Sequence, residues 1–224
     1  MIINFVETEN FEAQLVLVAG MKKSRLVMIA LALLCFWVGL GGAGLAEMTP
    51  TSAVKGTIDE VLSVLSDQEL KVPEKQTERR AKLEEIIGAR FDYEEMAKRT
   101  LPTQWKSLKT EQQKEFVGLF QQFLANSYVG NVDGYSGEQI EYGKERQKGD
   151  FAEVQTKVVS PKVQIPLDYR LLKKDGEWRV YDVVIDGVSL MKNYRGQFAR
   201  IIDSASFDAL LEKLRAKTDL EAAS

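Results

Sequence analysis

The chain has 224 residues, a formal net charge of −3, no histidine and one cysteine. Without histidine, Ser-His and Cys-His nucleophile activation and histidine-ligated zinc sites are excluded. The single cysteine, Cys35, lies in an apolar run near the N-terminus and cannot form an internal disulfide. The slightly acidic charge balance gives no argument for nucleic-acid binding. Any catalysis would therefore depend on carboxylate, lysine or tyrosine side chains.

The segment over residues 21–46 has the order of regions found in an export signal. It begins with the basic run Met21-Lys22-Lys23-Ser24-Arg25, continues with the apolar run Leu26 to Leu40, and ends in small residues at Ala46. We predict a signal peptide that is cleaved before Glu47. A retained membrane anchor is the alternative, because the uncharged stretch is long enough to span a bilayer.

The first twenty residues do not fit an export signal, because they are acidic and contain no basic residue. We interpret residues 1–20 as a misassigned start, with Met21 as the true start. Residues 47–224 are then expected to form one domain.

Apolar residues at helical spacing predict four helices in the first half of that domain. Asp92 with Glu95, and Thr110 with Gln113, have the spacing of capping boxes that start the third and fourth helices. The apolar residues of the four helices are Val54, Ile58, Val61, Leu62 and Leu65, then Leu83, Ile86 and Ile87, then Met96, and finally Phe116, Leu119, Phe120, Phe123, Leu124 and Tyr128.

After Gly130 the apolar period changes from 3.6 to 2, which predicts strands. We place them at residues 139–146, 151–159, 163–172 and 178–186. Pro166 cannot donate a ladder hydrogen bond, so we expect an edge strand or a bulge there. The Asp175-Gly176 pair predicts a hairpin turn between the last two strands.

Two helices are expected at the C-terminal end, capped by Ser189 and Ser206. The apolar face of the first is Leu190, Tyr194, Phe198, Ile201 and Ile202. The order of elements indicates an α+β fold, with N-terminal helices, an antiparallel sheet of about four strands, and C-terminal helices. The apolar faces could be plain core or the wall of a ligand pocket, because both use the same residue types.

Only a few polar residues are candidates for catalysis or ligand binding. Strand alternation would put Asp182 and Asp186 on one face with Trp178 and Val180, where two carboxylates could act as general acid and base. The alternative is a polar contact near a turn. Arg195 could clamp a phosphate through its planar guanidinium, or it could lie on the solvated side of its helix.

Residues 178–202 resemble the signature of the MlaC-type periplasmic phospholipid-binding proteins, also called the toluene-tolerance auxiliary family. The segment Phe91-Asp92-Tyr93-Glu94-Glu95-Met96-Ala97 is similar to a helix start in that family. The resemblance covers roughly residues 52–218. Its most specific pieces are Trp178-Arg179-Val180-Tyr181-Asp182-Val183, Gly187-Val188-Ser189-Leu190 and Asn193-Tyr194-Arg195-Gly196-Gln197-Phe198.

This resemblance implies an α+β fold with an apolar pocket between helices and sheet that holds the acyl chains of a phospholipid. It implies a carrier without catalytic residues, metal or cofactor, with phospholipid as cargo. Such carriers serve a Gram-negative periplasm and maintain outer-membrane lipid asymmetry. The implied partners are an inner-membrane MCE-domain ABC transporter and an outer-membrane lipoprotein–porin complex. The alternatives are a small periplasmic carboxylate-dependent enzyme and an adaptor protein without a lipid pocket.

We expect the pocket to be lined by the long aromatic helix, the helix after Ser189 and the buried face of the sheet. The predicted lipid-binding residues are Phe116, Phe120, Phe123, Leu124, Tyr128, Val158, Val163, Ile165, Leu167, Tyr169, Val184, Tyr194, Phe198 and Ile201.

Overall fold

The computed structural model describes residues 48–129, 135, 137–161 and 164–222. Four features of the sequence predictions lie outside this part: the misassigned start, the signal peptide, Val163 and the side chain of Tyr128. The described elements, in chain order, are helices α1 (Pro50–Ser66), α2 (Gln76–Arg90), α3 (Tyr93–Thr100) and α4 (Thr110–Val129), strands β1 (Gln139–Lys148), β2 (Phe151–Val159), β3 (Gln164–Lys174), β4 (Glu177–Ile185) and β5 (Val188–Ser189), and helices α5 (Leu190–Ser204) and α6 (Phe207–Ala222).

The predicted α+β order is confirmed, with one short extra strand. All pairings in the sheet are antiparallel, and the strands lie side by side in chain order from β1 to β5. Helix α1 contacts β2, whereas α2, α3 and α5 contact β4, and α4 packs mainly on α2, α3 and α6. In the described ranges, no helix combines the length and the apolar character that crossing a bilayer requires.

Pro166 does not mark an edge strand, because β3 lies between β2 and β4. The bulges also lie elsewhere, so that prediction is wrong. The carbonyl of Pro166 accepts a hydrogen bond from the Asp186 N–H at 2.9 Å, just beyond the end of β4. The N–H and the carbonyl of one strand residue point to the same neighbouring strand. The N–H that Pro166 lacks would therefore have pointed to the end of β4. The ladder between β2 and β3 therefore loses nothing.

The turns confirm one prediction and correct another. Asp175 and Gly176 both have positive φ, as the predicted two-residue hairpin turn requires. Asp186 and Gly187 also have positive φ, and they connect β4 to β5. Asp186 is therefore a turn residue and does not belong to the face of a strand.

A bulge in β4 reverses which residues face the core. Leu171 pairs with Val180, but the preceding Arg170 pairs with Asp182, which leaves Tyr181 as the extra residue. Val180 and Val183 belong to the hydrophobic core, whereas Asp182 lies on the opposite face. The expectation that Asp182 shares a face with Trp178 and Val180 is wrong, because alternation assumes an unbroken period of two.

The carboxylate of Asp182 is almost completely buried and joins three strands to a helix. It accepts hydrogen bonds from Nη1 of Arg170 at 3.1 Å, from Oγ of Ser189 at 2.7 Å and from the backbone N–H of Met191 at 3.0 Å. Ser189 Oγ in turn accepts from the Lys192 N–H at 3.0 Å, which confirms the predicted cap of α5. Asp182 therefore fixes where α5 begins relative to the sheet.

The start of α3 is also tied to the sheet. Asp92 accepts from the Glu95 N–H and from Lys174 Nζ, both at 2.9 Å, and its own N–H donates to the Val180 carbonyl. The Asp92 half of the predicted capping box is thus confirmed. The Glu95 carboxylate does not reach back, because it pairs with Arg99 at 2.8 Å.

The second predicted capping box is displaced by one residue. The Gln112 side chain accepts a hydrogen bond from the backbone N–H of Lys109, just before α4, at 3.0 Å. Gln113 donates to the Trp105 carbonyl at 2.8 Å instead. This contact holds the short 3-10 turn Trp105–Ser107 against the start of α4.

Removing the Asp182 carboxylate is expected to destabilise the fold. Asp182→Ala leaves a guanidinium, a hydroxyl and a buried backbone N–H without their acceptor, and we expect a loss of about 2–4 kcal/mol. Urea unfolding measures this loss. The exposed Asp203→Ala is the matched control, with an expected change within about 0.5 kcal/mol. Equal stability of the two variants would contradict the role given to Asp182.

Asp92 should make stability depend on pH. Burial acts to raise the pKa of this carboxyl, but the Glu95 N–H and the Lys174 ammonium outweigh burial, so its pKa lies below the ordinary value. A lowered folded-state pKa stabilises the protein above about pH 4, and this contribution disappears as pH falls through the folded-state value.

The test compares wild type with Asp92→Asn, since Asn also caps helices but does not titrate. The free energies of unfolding at neutral pH and near pH 3 should show the wild-type advantage shrinking on acidification. An advantage that stays constant or grows at low pH would show that Asp92 does not titrate as described.

Candidate functional site

The predicted aromatic residues of α4 and α5 meet in one cluster. The rings of Phe120 and Phe123 contact the Tyr194 ring edge to face, with centroids 5.6 and 5.5 Å apart. Phe198 lies edge to face against both Phe116 and Phe120, at 5.8 and 5.6 Å. These five rings are at most 4% exposed. Direct ring contacts of this kind fill the space between the two helices with protein side chains.

A sixth ring extends the cluster to the C-terminal helix. Phe207 of α6 lies 6.0 Å from Phe116, centroid to centroid, and α6 packs along α4. The aromatic cluster is thus a packed junction of three helices. Leu124 and Ile201 are buried beside it in the same hydrophobic core.

The predicted strand residues form a second apolar surface. Val158 pairs with Ile165 across β2 and β3, and Leu167 and Tyr169 continue the same face of β3. All four are buried in the same hydrophobic core as the rings. The structure therefore brings the helix and strand predictions together around one apolar interior.

Val184 is placed differently from the other predicted residues. It is buried, but the bulge puts it on the face of β4 that bears Asp182, opposite Asp168 on β3 and opposite Ser189 on β5. Val183 takes the core-facing position opposite Tyr169. Val183 was missed because the sequence gives no sign of the bulge.

Polar atoms are also present in this interior. Tyr142 lies on β1 opposite Thr156, and its hydroxyl is buried without a hydrogen-bond partner among the described residues. Burial raises the pKa of the Tyr142 and Tyr169 hydroxyls. A buried donor without an acceptor is costly, and a ligand oxygen or a water would remove that cost. Sequence periodicity marked Tyr142 only as a strand residue.

The carboxylates suggested as an acid–base pair do not converge. Asp182 is engaged by three donors, and Asp186 is a turn residue that follows β4. The polar-contact alternative therefore describes Asp182 correctly. Within the described ranges, no group of three or more acidic side chains is placed to hold a metal ion.

The chain is similar to two curated proteins, one named for phospholipid transport and one for toluene tolerance. The phospholipid transport system binding protein MlaC of Haemophilus influenzae is 23% identical over 177 residues, which cover 76% of this chain and 83% of that protein. The toluene tolerance protein ttg2D of Pseudomonas putida is 27% identical over 157 residues, which cover 69% of this chain and 73% of that protein.

A solved structure shares the fold. The phospholipid-binding protein from Ralstonia solanacearum, solved in complex with a phospholipid, matches with a TM-score of 0.67 and 25% identity. The match covers 76% of this chain and 97% of that one.

The MlaC protein family model matches residues 55–216, which is well over half of the chain. This range runs from the middle of α1 into α6 and so includes the sheet, the aromatic cluster and both tied helix starts. The chain belongs to the MlaC family.

Proposed function

We propose that this protein is a phospholipid carrier that binds acyl chains in an apolar pocket between its helices and its sheet. The observation that carries the proposal is its likeness to a phospholipid-binding protein solved with a phospholipid, over nearly all of that chain. The name of one curated relative, a phospholipid transport system binding protein, supports the same function.

The physical need for such a carrier follows from the cargo. Two acyl chains carry on the order of 30 methylenes, and exposing them to water costs on the order of 20 kcal/mol. A free lipid therefore does not cross an aqueous compartment at a useful rate. An apolar pocket removes most of this cost, because its interior is about as apolar as the bilayer.

The described residues suit this role in two ways. The buried sheet face from Val158 to Tyr169 offers an apolar floor, and the ring cluster of α4 and α5 offers a stiff wall. We propose that the acyl chains lie between them. The Tyr142 hydroxyl is then available to donate to a lipid ester oxygen. No step in this function requires a general acid, a nucleophile or a metal.

Family membership supports the finer parts of the proposal. We propose that the carrier acts in the periplasm after cleavage of the segment at 21–46. There it exchanges phospholipid between an outer-membrane lipoprotein–porin complex and an inner-membrane MCE-domain ABC transporter. This exchange would maintain the lipid asymmetry of the outer membrane.

Native mass spectrometry tests the proposal directly. Protein purified from a Gram-negative host should carry a mass increment of one or more phospholipids, confirmed by lipid extraction. Ile165→Phe adds volume on the proposed pocket floor, and we expect it to lower the lipid-bound fraction while the unfolding free energy of lipid-free protein changes little.

Val188→Phe is the matched control, because Val188 is 50% exposed at the β4–β5 turn. It should keep the wild-type lipid content. Lipid-free protein from repeated preparations would overturn the proposal. A loss of about 1–3 kcal/mol in Ile165→Phe, with no change in bound lipid, would identify a packed core at this position.

A further inference from the structure

A concave, basic cleft lies away from the sheet face that we propose as the pocket floor. It has a volume of about 730 Å³ and lies between α3, the Trp105 turn, the bulged part of the sheet and the first turns of α5. Its cationic side chains come from four separate stretches of the sequence. They are Lys98, Arg99, Lys106, Arg170, Lys192 and Arg195.

Only some of these charges are neutralised within the protein. Lys98 pairs with Glu94 at 2.7 Å, and Arg99 and Arg170 pair with carboxylates that themselves line the cleft. Lys106, Lys192 and Arg195 have no ion pair within the part of the chain that the structure describes. The cleft therefore carries excess positive charge on a chain whose net charge is −3.

Two of the guanidinium groups are fixed in position. Arg99 stacks on the Tyr181 ring at 3.8 Å and pairs with Glu95 at 2.8 Å, while its Nε is buried without an acceptor among the described residues. Arg170 lies between Glu153 at 3.3 Å and Asp182 at 3.1 Å. Fixed side chains hold the shape of the cleft and so lower the entropic cost of binding.

We propose that this cleft docks an acidic segment of a partner protein. Asp and Glu side chains would pair with the three uncompensated cations, and apolar side chains would lie against Trp105 and Tyr181. This inference goes beyond the proposed function and does not depend on whether lipid is bound.

Two features favour a protein segment over an anionic bilayer. The cleft is concave, whereas a bilayer surface is flat and meets protruding charges. Lipid surfaces are bound by clusters of about four to eight basic residues, and only three of the six cations here are uncompensated.

Fluorescence anisotropy with a short fluorescein-labelled peptide of Asp, Glu and Leu tests the proposal. The triple variant Lys106→Gln, Lys192→Gln, Arg195→Gln should bind this peptide about tenfold more weakly than wild type, and binding to wild type should weaken with added salt. The matched control is Lys114→Gln, Lys144→Gln, Lys148→Gln, which changes net charge equally at exposed positions away from the cleft. The control should bind as wild type does.

Circular dichroism and phospholipid content should be the same in all three proteins, which separates this test from that of the proposed function. Equal peptide affinity of the two triple variants would overturn the proposal. So would equal binding of a peptide with Asn and Gln in place of Asp and Glu. The proposal would also be overturned if wild type and the control bound phosphatidylglycerol vesicles and the cleft variant did not, because a membrane would then be the occupant.

Discussion

The buried carboxylate of Asp182 determines how the C-terminal half of the molecule is arranged. In a regular strand this side chain would point into the apolar core, where a charge without partners is very costly. The bulge at Tyr181 turns it to the other face, where Arg170, Ser189 and the start of α5 supply donors. The bulge and the three donors therefore depend on each other, because the bulge places the carboxylate where the donors can reach it.

The position of α5 has consequences on two sides of the molecule. One side of the helix brings Tyr194 and Phe198 against the rings of α4. Another side places Lys192 and Arg195 in the basic cleft. Because both surfaces belong to one short helix, a shift in its start would displace the aromatic wall and the charged cleft together.

Most elements could be predicted from the sequence because their signals are local. Helical spacing, the Asp92 and Ser189 caps and the Asp175-Gly176 turn each depend on a few neighbouring residues. The β4 bulge could not be predicted, because it depends on how Arg170 and Leu171 of another strand align with β4. That single unseen residue explains why Asp182 and Val184 were assigned to the wrong face.

The two proposed functional surfaces also differ in how far they could be predicted from the sequence. The apolar interior could be predicted as a set of residues, since large apolar side chains at regular spacing are buried whatever they contact. Whether they line a pocket or fill a core depends on distances between elements, which periodicity does not contain. The basic cleft could not be predicted, because its cations lie on α3, the Trp105 turn, β3 and α5 and are brought together only by the fold.

The packing of α1 on β2 affects the order in which the chain can fold. Each strand pairs with its neighbour in sequence, so the sheet can close by successive hairpins with short loops. Helix α1 is different, because Thr51 bonds to Glu145, 94 residues further along. In a chain that emerges from its N-terminus, α1 can pack on α2 at once, but its contacts with β2 must wait until β1 and β2 have formed. Helix α1 therefore reaches its final place late, and its sheet-facing side needs protection from aggregation until then.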